Sequence, residues 1–540
     1  NATIFSYPIN CQETEDVPKD LTLEELAKIC RQVNQDMTIE VPSGHGFCMY
    51  IRRDALREVG YFDAETWGKG YGEEVDWCQR ALDLGWRHIA ATGVFIQHVG
   101  SQSFVGDKIN LINRSLKLIS EKYPEYDLVI QEFIKSDPFA IARRNIDLER
   151  LRRCGNSFIL MINHNLGGGT ETHLQDLVSI LESENIIGLI LKPDSESKDW
   201  VELTYPKLDL LARYNLNNEG KALIQDLQNL GVFHVHIHHT IGFSKNFIDK
   251  LLEGLALSYD VTLHDYASIC PRVTLSQGEG KYCQEPPIKV CELCIEEHGA
   301  HNSLQKVYEQ IDSMEIWHSN SENLLKKSRK IFVPSQDMAT RMSKYFPELE
   351  FTLRYHPEVT QTVTLRSQND DKSTIRIGLM GGISEIKGLK TLYNCARYAT
   401  KIKKDIEFIV IGTTANNSLF EKLSNVTIYG AYKPEELNGL ITQSKLDFAA
   451  FFTTCPETYC YTLSEALENG LYPFGFDIGA VGERVRKLGV GYVIEPDVNV
   501  ASLVEALYSF GSQCRQQEDT VNIGNDYSDL FANKYYNLQL

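Results

Sequence analysis

The segment "LDFAAFFTTCPETYCYTLSEALENG", residues 446–470, runs from an apolar stretch through a polar loop into an amphipathic stretch. A short, uninterrupted apolar stretch is typical of a strand buried on both faces, as in a parallel sheet. Pro456 cannot extend a strand ladder, and Gly470 is a residue type that commonly ends a helix. The segment therefore predicts a strand, a loop and then a helix from about Thr462 to Asn469.

Two acids in this segment, Glu457 and Glu465, lie eight residues apart. On one continuous helix that spacing would turn the second side chain about 80° past full turns, onto a neighbouring face. With one acid on the loop and one in the first turns of the helix, both can face the carboxyl edge of the sheet, where α/β folds bind ligands. A carboxylate accepts hydrogen bonds from neighbouring hydroxyls of a sugar, and the N–H groups of Cys460, Tyr461 and Thr462 can hold a phosphate.

The pattern of the segment repeats on both sides of it. Apolar runs alternate with amphipathic segments from residue 156, stop at a polar gap near residues 356–374, and resume. Such alternation indicates parallel sheets covered by helices. The predicted fold class is α/β, with two Rossmann-like doubly wound domains at 156–355 and 356–515 and a carboxyl-terminal tail at 516–540. The predicted strands lie in "SFILMIN", "VFHVHIHH", "YDVTLHD", "KIFVPS", "IRIGLMG", "IEFIVIG", "VTIYGAY", "LDFAAFF", "YPFGFD" and "GYVIEP".

Composition limits the classes of function. A chain of 540 residues is too long for one core, and about three or four domains are expected. The net charge of −19 argues against a nucleic-acid partner. No stretch approaches the roughly 20 apolar residues of a membrane span. Thirteen irregularly spaced cysteines and the lack of a signal peptide favour a reducing compartment, so we expect a cytoplasmic protein, free or at the inner face of the membrane.

Four motifs resemble those of family 4 retaining glycosyltransferases of the GT-B fold, over about residues 156–510. They are the E-x7-E of residues 457–465, "DIGAVGERV" at 477–485, "GLMGGISEIKGLKTL" at 378–392 and "NHNLGGGTETHLQDL" at 163–177. The resemblance implies sugar transfer from a nucleotide diphosphate-sugar to a growing surface polysaccharide or lipid-linked glycan. No metal is required for that chemistry.

The resemblance also implies roles for individual residues. Glu465 would bind the ribose, Glu457 the transferred sugar and Lys387 the diphosphate, and His264 would lie near the reacting centre. The glycine loop Gly167, Gly168 and Gly169 would contact the donor or the acceptor. Without that context, Lys387 is a surface lysine, the glycines are a flexible turn and His264 is a core histidine.

Two departures from the family pattern keep other functions open. Cys460 replaces a glycine that is common after the first motif glutamate, and Gly382 stands near the place of a frequent arginine. Both support a non-catalytic protein that binds glycan or a partner enzyme in a polysaccharide assembly complex. A GT-B epimerase or a phosphorylase-type enzyme is a further alternative.

Four cysteines within residues 270–294 have a different signature. The segment "ICPRVTLSQGEGKYCQEPPIKVCELC" ends in C-x2-C, with two more thiols upstream. Four thiolates suit tetrahedral zinc, and the alternatives are an iron–sulfur cluster or four reduced cysteines in an inserted loop. The candidate ligands are Cys270, Cys283, Cys291 and Cys294.

The segment "HVHIHH", residues 234–239, also invites a metal interpretation. His234, His236 and His238 would share one face of a strand. No carboxylate or cysteine accompanies them, so we expect polar lining of a cleft or hydrogen-bonded core histidines instead.

Residues 1–105 resemble the carboxyl half of a family 2 inverting glycosyltransferase of the GT-A fold. The matching segments are "GHGFCMYIRRDALREVGYFD", "GEEVDWCQR" and the region around His98. The resemblance implies that Glu74, with Asp76 nearby, is the base on the acceptor hydroxyl, and that His98 completes a metal site. The alternative for the acids is a solvated helix start. The short strands expected here are "HGFCMYIRR" and "GVFIQHVG".

The nucleotide-binding half of that second family is missing from the sequence. No D-x-D follows a strand in residues 1–105, and residue 1 already falls inside the resembling region. Mg²⁺ or Mn²⁺ would be needed only by a complete GT-A domain. We therefore expect a truncated GT-A-like section that binds no sugar nucleotide, within a longer two-enzyme polypeptide.

Residues 106–155 are predicted to be a helical linker. Its segment "ARRNIDLERLRR" contains four arginines that could meet anionic lipid, namely Arg143, Arg144, Arg152 and Arg153. A solvated linker helix is the favoured alternative, and peripheral membrane contact is the other.

Overall fold

The computed structural model describes residues 3–12, 17–68, 71–98, 108–155, 157–195, 197–369, 373–525 and Tyr536. The strands in these residues are β1 (Thr38–Val41), β2 (His88–Ala91), β3 (Phe158–Ile162), β4 (Ile187–Pro193), β5 (Trp200–Tyr205), β6 (Leu210–Asn215), β7 (Val232–Ile237), β8 (Tyr259–Thr262), β9 (Lys330–Val333), β10 (Phe351–Leu353), β11 (Glu358–Leu365), β12 (Ile375–Ile383), β13 (Ile406–Thr414), β14 (Val426–Ile428), β15 (Phe448–Phe451), β16 (Pro473–Phe476), β17 (Tyr492–Ile494) and β18 (Asp519–Asn525).

The helices of the described residues connect these strands. They are α1 (Leu23–Asn34), α2 (Arg53–Val59), α3 (Ala64–Trp67), α4 (Glu73–Asp83), α5 (Lys108–Lys122), α6 (Tyr126–Ser136), α7 (Ala140–Cys154), α8 (Gly169–Ser183), α9 (Gly220–Leu230), α10 (Lys245–Leu255), α11 (Ile288–His298), α12 (Gln305–Ile311), α13 (Met314–Lys326), α14 (Gln336–Tyr345), α15 (Leu389–Ile402), α16 (Leu437–Ser444), α17 (Tyr461–Glu468), α18 (Gly479–Leu488) and α19 (Val500–Cys514). Four 3₁₀ turns lie at Gly46–Cys48, Gly278–Gly280, Asn417–Phe420 and Pro434–Glu436.

The chain folds into two compact units. The first comprises residues 1–160, 186–233 and 243–256, and the second comprises 161–185, 234–242 and 257–540. The second unit contains the candidate site described below.

A six-stranded sheet of the second unit holds the segment with which the sequence analysis began. Its order is β14-β13-β12-β15-β16-β17, and its strand pairs are parallel. The apolar run of β15 is buried along its length. The strand, loop and helix predicted from residues 446–470 are therefore confirmed, and the predicted α/β class with parallel sheets is confirmed with them.

The same unit contains a second parallel series. Strands β7 to β8, β8 to β9 and β9 to β10 pair in parallel. In the first unit, β4, β5 and β6 form an antiparallel meander that the sequence analysis missed. Strands β5 and β6 alternate buried and less buried residues, which is typical of a sheet with one covered face.

Two short strands predicted near the amino terminus are wrong. Residues 46–48 of "HGFCMYIRR" form a 3₁₀ turn, and the described part of "GVFIQHVG", residues 93–98, has no strand. Their apolar side chains are exposed, with Tyr50 at 92% and Val94 at 63%, so no sheet face covers them. The antiparallel pair of this region is instead β1 with β2. These elements do not establish a GT-A-like half domain.

The predicted tail after residue 515 also needs correction. It begins with β18, which pairs antiparallel with β11. Strand β11 itself lies in the predicted polar gap between the two Rossmann-like domains. Ile523 of β18 is buried against the core of the six-stranded sheet.

The predicted helices of residues 106–155 are present, but α7 is not a solvated linker. It packs against α1 and β6 of its own unit. Arg143 and Arg144 are 6% and 4% exposed and pair with Asp137 and Glu219. Because these two guanidinium groups are enclosed by protein, they are not available to a lipid surface. Arg152 and Arg153 have side chains 41% and 37% exposed, so lipid contact through them stays a prediction.

No helix in the described part of the chain is both long enough and apolar enough to cross a membrane.

Candidate active site

A cleft of about 410 Å³ opens in the second unit. Its walls come from the start of α8, the loop after β8, the turn before α15 and the loop between β15 and α17. The lining residues are Gly169, Thr170, Thr172, His264, Asp265, Tyr266, Val273, Thr274, His356, Ile386, Lys387, Thr453 and Cys455 to Thr462. Most of these segments follow parallel strands, the edge at which the sequence analysis expected a ligand.

The loop that bears Glu457 is fixed by close backbone contacts. Gly479 has a φ of +60°, and a Cβ there would lie 2.7 Å from the backbone nitrogen and oxygen of Glu457. The N–H of Ala480 donates to the Glu457 carbonyl at 2.8 Å. Only glycine fits this approach, so the turn before α18 sets the backbone position of the acid.

Arg484 on α18 holds the other end of the same loop. Its guanidinium donates to the carbonyls of Tyr459 at 3.2 Å and Cys460 at 2.9 Å, and it lies 4.3 Å from the centre of the Tyr459 ring. It also pairs with Glu358 at 3.3 Å. Arg484 and Gly479 were not predicted as site residues from the sequence, although the motif "DIGAVGERV" contains both.

Lys387 occupies the turn between β12 and α15. The next residue, Gly388, has a φ of +85°, and a Cβ there would lie 2.3 Å from the Phe452 carbonyl oxygen. The N–H of Thr454 donates to the Ile386 carbonyl at 2.8 Å. The turn is therefore packed directly on the chain that leads to Glu457.

Electrostatics connects Lys387 to both motif acids. The pKa of Lys387 is raised, chiefly by the negative charge of Glu457, against the lowering effect of burial; Cys460 and Glu465 add smaller raising contributions. The ammonium group stays charged at neutral pH. The structure thus brings Lys387 and Glu457 into one cleft, with Glu465 close enough for its charge to act on Lys387.

Glu465 lies in the second turn of α17, half-buried, and is not among the cleft-lining residues. Burial raises the pKa of its carboxyl group, Glu468 adds to the shift and Lys387 opposes it. Its Oε2 atom is enclosed and has no hydrogen-bond partner among the described residues. An enclosed acceptor without a partner costs roughly 1–3 kcal/mol, so a hydroxyl donor would be stabilising here.

The glycine loop lies at the start of α8. Gly167 and Gly168 have φ of +70° and +77°, a conformation that favours glycine. Gly169 begins the helix and lines the cleft, and a Cβ there would lie 3.3 Å from the Tyr461 ring. The cleft lining does not include Gly167 or Gly168, which shape the turn instead.

His264 follows β8 and forms one wall of the cleft. Its carbonyl accepts a hydrogen bond from the Thr458 hydroxyl at 2.6 Å, which ties it to the Glu457 loop. Its Nε2 lies 3.0 Å from Nδ1 of His238. Burial and neighbouring histidines hold the pKa of His264 well below its usual value, so the ring is neutral at pH 7.

Two of the three histidines on β7 and just beyond it are hydrogen-bonded core residues. His234 contacts Asp260 at 3.0 Å. His236 contacts the Tyr536 hydroxyl at 2.8 Å and the Thr262 hydroxyl at 2.7 Å. His238 instead contacts His264 beside the cleft.

The four cysteines of residues 270–294 are all free thiols, two of them on α11. Burial raises the pKa of Cys270 to about 12, and Cys283, Cys291 and Cys294 add to the shift, which places the four in one neighbourhood. In the residues that the structure describes, sets of three metal-ligating side chains with ligand atoms within 4.8 Å of one another do not include these thiols. A zinc ion there stays a prediction.

In the first unit, Glu74 lies at the start of α4. The N–H of Gly72 donates to its carboxylate at 3.3 Å. Glu74 and His98 both act on the pKa of His45, which is lowered mainly by burial, and the His45 and His98 ring centres are 6.5 Å apart. His45 was missed by the sequence analysis, although "GHGF" contains it.

Asp76 has a different environment from Glu74. It is fully buried, accepts from Arg80 at 2.9 Å and from the Tyr123 hydroxyl at 2.8 Å, and pairs with Lys122. These contacts engage both carboxylate oxygens in holding α4 to the following helix. Asp76 is therefore a structural ion-pair residue.

Comparisons with known proteins bear on the second unit. Residues 362–525 match the family model described as glycosyl transferases group 1. No curated protein matches the chain.

Solved structures resemble the chain at low identity. Sucrose-phosphate synthase from Thermosynechococcus elongatus is 12% identical, with 67% of this chain and 94% of that chain covered and a TM-score of 0.43. The lipopolysaccharide outer core galactosyltransferase WaaB is 12% identical, with 67% of this chain and 94% of that chain covered and a TM-score of 0.43. Anabaena Alr3699/HepE in complex with UDP-glucose is 13% identical, with 66% of this chain and 93% of that chain covered and a TM-score of 0.40. The match of residues 362–525 to the glycosyl transferases group 1 family supports a glycosyltransferase.

Proposed function

We propose that the second unit transfers a sugar, with retention of configuration, from a nucleotide diphosphate-sugar to a growing surface polysaccharide or lipid-linked glycan. The observation that carries the proposal is the cleft that joins Lys387, the Glu457 loop, His264 and the start of α8. It lies partly in the domain that matches the group 1 family.

The charges of the cleft suit a departing nucleotide diphosphate. Lys387 stays protonated because Glu457 raises its pKa, and an ammonium group stabilises charge that develops on the leaving diphosphate. The first residues of α8 and α17, Gly169 and Tyr461, line the same cleft, and N–H groups at a helix start can bind phosphate oxygens. This chemistry needs no metal ion at the diphosphate.

The two acids would act on different parts of the donor. Glu465, with its partnerless Oε2, would accept from the ribose diol. Glu457, in the cleft lining, would contact the transferred sugar. His264, neutral and tied to Thr458, would face the reacting centre.

Residues 1–105 enter the proposal as a section that resembles the acceptor side of an inverting GT-A enzyme. The grouping of Glu74, His45 and His98 supports it. The protein would work in the cytoplasm.

The test is a thermal-shift screen of the full chain against UDP-, GDP- and dTDP-sugars. A true donor raises the unfolding temperature by mass action. The anomeric configuration of the product, measured by NMR with the best donor, then tests retention. Absence of both stabilisation and donor turnover across the panel would overturn the proposal.

A non-catalytic glycan-binding or scaffold function is the second candidate. It is favoured by Cys460, which holds a φ of +77° just before α17, where glycine fits better. Glycan binding without any donor hydrolysis would support it over transfer.

A further inference from the structure

Three histidines from separate segments meet beside the cleft. His173 lies on α8, His238 follows β7 and His264 follows β8, and one ligand atom from each lies within 4.8 Å of the others. His173 and His238 are 1% and 2% exposed, and His264 lines the cleft. We call these residues the histidine triad.

Several ring nitrogen atoms of the triad have no hydrogen-bond partner among the described residues. Neither ring nitrogen of His173, nor Nε2 of His238, has a hydrogen-bond partner among the described residues. Among the described residues, the hydrogen bond inside the triad joins His238 Nδ1 and His264 Nε2. A neutral imidazole has one donor and one acceptor nitrogen, and buried polar groups are nearly always paired. The nitrogen atoms of His173 therefore call for a ligand.

We propose that the histidine triad binds one divalent transition-metal ion of the zinc class. Zinc accepts neutral imidazole at about 2.0–2.1 Å, which places two nitrogens of a tetrahedral site roughly 3.3 Å apart. His238 Nδ1 and His264 Nε2 are 3.0 Å apart, close to that separation. Three histidines leave a fourth position for an oxygen from water or from a molecule in the cleft.

The ion would fix α8 and the ends of β7 and β8 relative to one another. This ion is separate from the proposed diphosphate site, where Lys387 supplies the positive charge. The inference does not depend on the proposed transfer reaction.

The experiment uses the tag-free full chain, stripped with a chelator and titrated with Zn²⁺ alone. A Cys283→Ser/Cys294→Ser background removes two of the four thiols of residues 270–294, which leaves too few for a four-thiolate zinc site. We expect one equivalent of zinc to remain bound in that background. X-ray absorption should show only nitrogen and oxygen neighbours, at about 2.0–2.1 Å.

Substitution identifies the ligands. His173→Gln in the same background should weaken zinc binding at least tenfold. The matched control is His234→Gln, which alters an equally buried histidine that pairs with Asp260 and should keep wild-type affinity. Circular dichroism shows that each variant is folded, and His173→Asn replaces His173→Gln if that variant does not fold. Failure of the Cys283→Ser/Cys294→Ser background to bind zinc, sulfur neighbours around the bound ion, or equal affinity of the His173 and His234 variants would overturn the proposal.

Discussion

At the scale of single residues, the candidate site is an arrangement of charges of opposite sign. Lys387 faces Glu457 and Glu465, and each acid contributes to the raised pKa of the lysine. The two acids differ in setting, because Glu457 lines the cleft and Glu465 is half-buried on α17 with a partnerless oxygen. We therefore expect the Gln substitutions of the two acids to affect different properties, donor affinity for Glu465 and turnover for Glu457.

Glu465→Gln should weaken donor binding by about tenfold to a hundredfold. A hydrogen bond to a charged acceptor contributes roughly 1.5–3 kcal/mol, which corresponds to that range of affinity. Isothermal titration calorimetry with the best donor measures it. Wild-type affinity in this variant would remove the ribose contact from the proposal.

Donor affinity should also depend on pH through Glu465. Its pKa is raised, mainly by burial. On acidification the carboxyl group therefore becomes protonated at a higher pH than an ordinary glutamate, whose pKa is about 4.3. The ionised acceptor is lost as pH falls through the raised pKa, and affinity should fall with it. Dissociation constants between pH 5 and pH 8 test this, and in Glu465→Gln that component of the pH dependence should vanish.

Glu457→Gln should reduce turnover more than donor affinity. Contacts to the transferred sugar strengthen as the leaving group departs, and such contacts act on the transition state. Single-turnover transfer rates measured beside calorimetric affinities separate the two effects. A loss confined to affinity would place Glu457 in ground-state binding only.

At the scale of elements, two turns and one helix position these residues. The turn before α15 packs on the Phe452 backbone through Gly388, and the turn before α18 packs on Glu457 through Gly479. Arg484 on α18 bonds to the carbonyls at the end of the same loop. The loop is therefore held from two sides by elements that follow other strands.

Gly388→Ala should disrupt the Lys387 turn. The positive φ alone costs about 1–3 kcal/mol for a residue with a Cβ, and the new atom would lie 2.3 Å from the Phe452 carbonyl oxygen. The matched control is Gly382→Ala, six residues earlier, where a Cβ meets nothing within 4 Å. Urea unfolding midpoints and donor affinities of the two variants test this. Equal values for both would show that the turn does not need its glycine.

Arg484→Lys should slow transfer while the protein remains folded. Lysine keeps the positive charge beside Glu358 but cannot reproduce the forked contacts to the Tyr459 and Cys460 carbonyls. We expect a rate reduction of about tenfold, which corresponds to roughly 1.4 kcal/mol. Arg486→Lys, on the same helix with a side chain 54% exposed, is the control and should stay near wild type.

At the scale of the whole molecule, the segment that matches the group 1 family begins and ends with one strand pair. The match covers residues 362–525, and β11 (Glu358–Leu365) pairs with β18 (Asp519–Asn525). Strand β18 thus brings the chain back to the start of the matched segment. Ile523 contributes to the core of the six-stranded sheet from β18.

Ile523→Ala should lower the free energy of unfolding of this unit by about 2 kcal/mol, because it removes buried methyl groups. Thr520→Ala, on the same strand at an exposed position, is the control and should change stability little. Urea denaturation followed by far-ultraviolet circular dichroism measures the stability of both variants. Equal midpoints would mean that β18 adds nothing to the core.

The sequence alone determined the alternation of strands and helices after residue 156. A continuous apolar run such as that of β15 is stable only when both of its faces are buried. Local composition therefore predicts a strand of a parallel sheet covered on both faces. The strand, loop and helix around Glu457 followed in the same way, from Pro456 and Gly470. The motif then pointed to Lys387 and His264 through family resemblance, and the structure places both with Glu457 in one cleft.

Only the tertiary structure decided which distant residues meet. Arg484, Gly479 and His45 act through contacts with segments far away in the sequence, and nothing in their local pattern reveals those partners. The same holds for His173, His238 and His264, whose spacing along the chain resembles no metal motif. The exposed residues near Tyr50 and Val94 look like strands locally but find no sheet to join, because strand formation depends on a partner that the local sequence does not specify.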